Sequence, residues 1–220
     1  MNEKCVGLTD KATEYLKNGE YSAALETYKK ASETGDYFAS YYIACMYYFG
    51  DGVEKDDEKA FLWYKKAFEQ GDPEAANRVA VMSENGIGTD KNVRQAFEFY
   101  LRSAEMGSLS GMANAALCYL EGKGTPVDTE EGIRLMNKAS EGGNGIASLA
   151  LANFYLSGNY VSRNYATARK YLERGTEQKY APAAEKLAEL YEKGQGVEKD
   201  LKKAEQLRRV ALSMSEEEND

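Results

Sequence analysis

Three patterns in this chain could do chemistry. Five glycine-rich turns, such as Gly50-Asp51-Gly52-Val53-Glu54-Lys55, could offer backbone amides to a phosphate. A phosphate-cradling loop, however, follows a strand and closes on Gly-Lys-Ser/Thr, which is absent here. A turn that recurs at regular intervals reads instead as a folding element. Asp51, Glu54, Asp56, Asp57 and Glu58 could gather around calcium, but they lack the alternating oxygen ligands and the closing glutamate of a calcium loop. They read as a solvated turn and a helix cap. Cys45 and Cys118 fall within predicted helices with no base beside them, so they read as buried or half-buried thiols rather than nucleophiles. The chain has no histidine, which removes histidine triads, histidine proton relays and every histidine-containing zinc site. The expectation is no catalytic residue, no metal and no cofactor. A carboxylate site hidden in a groove is the enzymatic alternative.

The remaining composition narrows the class. Of 220 residues, 43% are hydrophobic and 29% charged, which is enough apolar matter for a core. The formal net charge is −8, so the chain repels phosphate backbones and nucleic acid is not expected as the main ligand. Three prolines against 17 tyrosines point to long helices with aromatic packing. No apolar run reaches membrane-spanning length, and the first residues form no signal-peptide core. Cys5, Cys45 and Cys118 are an odd set with no close pair, so no disulfide framework is expected. A reducing cytoplasm fits; the alternative is an excised piece of a longer secreted or anchored protein.

These residues are positioned by a repeat. Gly35, Gly71, Gly107 and Gly143 are spaced by 36 residues. The same step links Ala44, Ala80, Ala116, Ala152 and Ala188, and again Gly50, Gly86, Gly122, Gly158 and Gly194. Apolar residues three and four apart precede each of the latter glycines, as in Ile43, Ala44, Met46 and Tyr47, which is helical spacing. The glycine then ends the helix in a left-handed residue. Asp56, Asn92, Asp128, Asn164 and Asp200 form an N-cap column for a second helix. Gln95 and Glu131, three residues past their caps, suggest capping boxes. Ala60, Ala96, Gly132, Ala168 and Ala204 keep the second helix close to the first. Each unit is thus a helix–turn–helix that cannot bury its apolar face alone. Stacked copies bury it, so the predicted fold is all-α, a right-handed α-α superhelix or solenoid.

The 36-residue units resemble the Sel1-like repeat family. The resemblance is carried by Lys59-Ala60-Phe61-Leu62-Trp63-Tyr64-Lys65-Lys66-Ala67-Phe68-Glu69-Gln70-Gly71-Asp72 and by the Gly-x-Gly-Val-x-x-Asp loops at Gly50–Asp56 and Gly194–Asp200. Ala12, Tyr15, Ala24, Tyr28 and Ala31, with the turn Asn18-Gly19-Glu20, resemble a tetratricopeptide unit. The expected organisation is a capping repeat over residues 1–35, five Sel1-like repeats over 36–215 and a disordered acidic tail over 216–220. In the 144–179 unit Tyr160 replaces a loop glycine and Lys179 a terminal one, so a reshaped turn is expected there. The resemblance implies a non-enzymatic adaptor or scaffold, in a family that includes degradation-complex adaptors and bacterial signalling or host-interaction factors.

By the same resemblance, the first helix of each unit lines a concave groove. Residues flanking the alanine column are then Phe38, Tyr41, Tyr42, Cys45, Tyr48 and Phe49, followed by Glu74, Asn77, Arg78, Val81 and Glu84. Further along come Asn114, Leu117 and Leu120, then Leu149 and Asn153, and finally Glu185, Glu189 and Glu192 with Lys186, an acidic end. The expected partner is a protein or peptide segment held by Tyr41, Tyr42, Tyr48, Asn77, Arg78, Asn114 and Asn153. Aromatic and arginine side chains would serve as anchors and the amides would pair with its backbone. Two other readings remain open: the tyrosines pack beneath the N-terminal unit, or the chain is a spacer that only associates with itself. Oligomeric state is not determined at this level. The last helix, with Lys202, Lys203, Arg208 and Arg209, reads as a solvated end cap.

Overall fold

The computed structural model describes residues 3–217, with side chains over 7–216. Among the described residues there are twelve α-helices and no strand. They form two compact units, Met1–Gly111 with Lys123–Thr125, and Met112–Gly122 with Pro126–Asp220. The first unit holds α1 (Glu3–Lys17), α2 (Tyr21–Glu33), α3 (Tyr37–Phe49), α4 (Asp57–Glu69), α5 (Pro73–Asn85) and α6 (Val93–Glu105). The second holds most of α7 (Leu109–Glu121), then α8 (Thr129–Glu141), α9 (Gly145–Ser157), α10 (Tyr165–Glu177), α11 (Ala181–Lys193) and α12 (Leu201–Glu217). Odd-numbered helices are the first members of the hairpins (A helices), and even-numbered ones the second (B helices). Within the first unit each helix packs on the next along the chain, and α8 to α12 do likewise in the second.

The small-residue columns behave as steric reasoning demands. Ala44, Ala80, Ala116, Ala152 and Ala188 are all fully buried. A Cβ added to Gly132 would lie 2.7 Å from Leu120 Cγ, so α7 and α8 approach too closely for even a methyl group. Asp56, Asn92, Asp128, Asn164 and Asp200 each cap a B helix by accepting from the amide three residues on, at 2.9–3.0 Å. The capping boxes do not form. The N–H of every cap residue is already donated to an A-helix carbonyl, that of Tyr47, Ser83, Tyr119, Tyr155 or Tyr191. The Glu131 carboxylate accepts instead from Arg134. This repeated bond ties each turn to its own hairpin.

A second cap column serves the A helices. Asp36, Asp72, Ser108 and Asn144 accept amide bonds at the starts of α3, α5, α7 and α9, whereas Tyr180 makes no such bond. The turn at Tyr160 is not reshaped. Its φ of 64° matches the 64–71° of the glycines at Gly52, Gly88, Gly124 and Gly196, whereas Lys179 holds φ 59° against 91–112° at Gly35, Gly71, Gly107 and Gly143. At Gly52, Gly88, Gly124 and Gly196 an added Cβ would sit 1.9–2.4 Å from the first residue of the preceding B helix. Tyr160 is exposed and its ring meets Phe154 edge-on, with centroids 5.0 Å apart. Helix α12 runs to Glu217, so Glu216 and Glu217 are helical rather than part of a disordered tail. The rest of that tail lies outside the described residues.

One polar device occurs once in each unit. Ser32 on α2 donates to Ser40 on α3, Ser40 to the Gln70 side chain, and Gln70 Nε2 returns to the Ser32 carbonyl. Ser140, Ser148 and Gln178 repeat this ring with bonds of 2.6–2.7 Å, each member lying 108 residues further along. All four serines are buried, so the closed ring removes the desolvation penalty that open hydroxyls would carry.

Candidate functional site

Helix α3 is the most apolar A helix of the first unit, and it does not bury everything it carries. Phe38, Tyr42, Cys45 and Phe49 are spaced by four, three and four residues, so they share one helical stripe. Phe38 is 49% exposed, Tyr42 36% and Phe49 66%. Between α1 and α3, Phe38 and Tyr42 line a cleft with Thr9, Asp10, Thr13, Glu14 and Lys17. Between α3 and α5 a smaller pocket of about 50 Å³ is lined by Tyr41, Cys45, Tyr48, Phe49, Tyr64, Arg78, Val81 and Met82.

The aromatic rings form a connected set. Tyr42 stacks on Tyr28 at 5.3 Å between centroids and meets Tyr41 edge-on, and Tyr41 meets Tyr64 edge-on at 5.2 Å. Tyr48 packs edge-on against Phe49, and Lys55 Nζ lies 5.5 Å from the Tyr48 ring centre. Arg78 Nε donates to the Tyr41 hydroxyl at 3.3 Å. The residue is exposed but its guanidinium is half-buried, and among the described residues no carboxylate lies within ion-pair distance of it. Asp72, on the same helix start, is turned into the α5 cap and buried.

Burial pushes the Cys45 thiol up, against a weaker opposing effect of its 3.3 Å hydrogen bond with the Tyr64 hydroxyl. Burial also raises the Tyr41 and Tyr64 hydroxyls. A thiol held protonated is a poor nucleophile, so burial works against Cys45 in that role. Among the described residues no group of three or more metal-ligating side chains converges. No described helix is long and apolar enough to cross a membrane.

The predicted residues separate. Tyr41, Tyr48 and Arg78 meet around one pocket, and Tyr42 stands in the adjoining cleft. Asn77 is only 7% exposed, because its position on α5 turns it into the packing seam; it is not offered to a partner. Asn114 and Asn153 belong to the second unit. Asn114 on α7 is half-buried. Asn153 is exposed and lines a cleft between α9 and α11 with Phe154, Ser157, Tyr165, Lys186, Glu189 and Lys193. The expected acidic end is largely compensated. Lys186 and Lys193 bond Glu189 at 3.0 and 3.2 Å and hold its carboxyl below the usual range, and Arg208 pairs with Glu192 at 2.6 Å.

Tyr64 and Met82 were not anticipated on this face, yet a column signal marks Tyr64. Tyr28, Tyr64 and Tyr100 are spaced by 36 residues, all buried, and their hydroxyls reach Thr13, Cys45 and Glu84 on the A helices of their own hairpins. In the second unit the same column reads Met136, Leu172 and Arg208. The tyrosine column therefore sends polar tips toward the A-helix face of the first unit only.

Comparison with known proteins places this geometry. Consecutive matches to the Sel1 repeat cover residues 38–72, 73–108, 109–144, 145–180 and 181–207. None of the curated proteins compared with the chain matches it. Among solved structures, a Sel1 repeat protein from Oxalobacter formigenes is 27% identical, with a TM-score of 0.85 over 93% of this chain and 84% of that one. The antigen c5321, described as protective and present in uropathogenic Escherichia coli strains, is 27% identical with a TM-score of 0.75. All of this chain aligns with half of that one. The immunity protein Pa5087 from Pseudomonas aeruginosa, 22% identical with a TM-score of 0.67 over 97% of this chain and 83% of its own, shares the fold. The fold class is the all-α repeat solenoid, a class that generally mediates protein–protein interaction and is generally non-enzymatic. With its repeats matched from residue 38 to 207, the chain belongs to the Sel1 repeat family.

Proposed function

We propose that this protein is a non-enzymatic binding module that captures a segment of another protein on the A-helix face of its first unit, across α1, α3 and α5. The observation that carries the reading is the stripe Phe38–Tyr42–Phe49, three large side chains left partly in water on one line of α3. Exposed aromatic residues flanking pockets are the form that binding hot spots take. Tyr41, Tyr42, Tyr48 and Arg78 belong to this surface. Asn153, with its α9–α11 cleft, forms a separate and more polar surface. The unit over residues 1–35 serves in this reading as the N-terminal cap as well as one wall of the binding face. Cys45 and Cys118, in no disulfide among the described residues, suit a reducing compartment.

The test is a paired capture experiment with full-length protein. Phe38→Ser and Phe49→Ser together should leave the helical melting curve close to wild type and abolish partner capture, while Asn153→Ala should leave capture intact. Equal capture by wild type and the double variant rejects this face. Light scattering over a concentration series separates the self-associating spacer: a dimer dispersed by the double variant would make a second copy the partner.

A further inference from the structure

Resting on the binding face above, we propose that the captured segment is extended and carries an acidic side chain that pairs with Arg78, beside an aliphatic side chain that enters the Tyr41–Tyr48–Met82 pocket. Three observations carry this. Arg78 is a cation at the mouth of an otherwise aromatic and aliphatic pocket, and its side chain is directed by the Tyr41 hydroxyl at 3.3 Å. Among the described residues it has no carboxylate partner, although the chain as a whole has net charge −8. Acids that could have neutralised it are committed elsewhere: Asp72 caps α5, and Glu74 accepts from Ser108. A half-buried guanidinium on a rigid helix, held by the Tyr41 hydroxyl and lacking an acid, is suited to planar bidentate recognition of a carboxylate.

The chemistry of the surroundings defines the segment further. A single arginine in an acidic chain matches a singly charged carboxylate better than a doubly charged phosphate. Arg78 lies mid-way along α5 (Pro73–Asn85), and the aromatic stripe runs the length of α3 beside it. A chain meeting Arg78 therefore continues past it, which favours an internal Asp or Glu over a chain terminus. On the far side of α3 the cleft presents Asp10 and Glu14 with one lysine, Lys17. The other end of the segment is accordingly neutral or basic, so an acidic run is not accommodated.

Fluorescence anisotropy at low salt, with full-length protein and labelled hexapeptides blocked at both ends, tests the assignment. The reference peptide has one Glu between two Leu and a Lys at its start; companions replace Glu by Gln, by phosphoserine, or move the carboxylate to a free C-terminus. The Glu peptide should bind about tenfold more tightly than the Gln peptide. Arg78→Gln should reduce the Glu peptide to the level of the Gln peptide and leave the latter unchanged, with Arg78→Lys intermediate. Phe49→Ser should weaken both peptides alike. Equal binding of the Glu and Gln peptides, both weakened by Phe49→Ser, removes the carboxylate and keeps the face. Tighter binding of the phosphoserine or free-C-terminus peptide overturns the internal acidic side chain. Absence of binding by every peptide overturns this inference, and capture lost in Phe38→Ser/Phe49→Ser would then show the face itself to stand.

Discussion

The two units carry the same backbone grammar and different inner surfaces. Both have the alanine column, the glycine turns, the B-helix caps and one serine–serine–glutamine ring. They diverge at the residue that each B helix sends beneath its A helix. In the first unit it is Tyr28, Tyr64 and Tyr100, whose rings fill the core while their hydroxyls serve the face above. In the second it is Met136 and Leu172, which only pack, and then Arg208, which pairs with Glu192. Arg208 stands where earlier hairpins bury a tyrosine, methionine or leucine. There an exposed ion pair between α12 and α11 takes the place of apolar packing. The frame is thus indifferent to what the column carries, and function is free to vary there.

The sharpest way to break the comparison is to cut the column itself. Leu172→Ala, at a fully buried site, should cost about 3 kcal/mol in denaturant unfolding. Tyr64→Phe keeps the ring and loses only the hydroxyl contact with Cys45, so about 1 kcal/mol is expected. Equal losses would mean that the tyrosine hydroxyl is structural and not a feature of the face.

The loop offers the next contrast. Gly52→Ala places a Cβ 1.9 Å from Tyr21 Cβ at a left-handed residue, and should cost about 2–3 kcal/mol. Tyr160→Gly, at the matching turn of the second unit, relieves a left-handed side chain but loses the Phe154 contact. Its melting temperature should move by no more than about 2 °C. A large loss in Tyr160→Gly would show that the aromatic contact, and not the turn, holds that loop.

The serine–glutamine rings should respond alike. Gln70→Ala and Gln178→Ala each open a buried ring, and each should cost about 1–2 kcal/mol. A clear difference between them would show that the units are less equivalent in their seams than their bonds suggest.

The smallest effect distinguishes the units by pH. Asp72 in the first unit has its pKa raised, chiefly by burial. Its contribution is therefore present below about pH 3.8 and lost as the pH rises through the folded value. Glu189 in the second has its pKa lowered, chiefly by the Lys186 hydrogen bond. Its contribution is present above about pH 4.5 and lost as the pH falls through the folded value. Melting curves from pH 3 to 7 should show Glu189→Gln flattening the acid-side loss. Asp72→Asn, which retains a cap, should steepen it, each by about 1–2 °C.

The repeat, the hairpin and both sets of helix-terminal residues were legible because they depend on neighbours a few positions away. A left-handed glycine, a cap three residues before its amide and an alanine seam are local requirements, repeated until chance is excluded. The capping boxes were misread at Gln95 and Glu131 because the competing acceptor, a carbonyl nine residues back, is visible only once the hairpin closes. Tyr160 was misread for a related reason: a side chain tolerates the left-handed turn when, as here, it reaches solvent and an aromatic partner.

The candidate site divides along the same line. Residue types and their 36-residue step determined, without any coordinates, that this chain is all-α and that it repeats; the resemblance put Tyr41, Tyr42, Tyr48, Asn77 and Arg78 alike beside its packing seam. Only tertiary structure decided that Asn77 turns inward, that Tyr64 reaches up to Cys45, that Glu189 and Glu192 are neutralised, and that Arg78 is left without an acid. Helical periodicity assigns a residue to a face, but a few tens of degrees of rotation separate a seam from a surface. Which side of that line a side chain falls on depends on packing against helices far away in the chain.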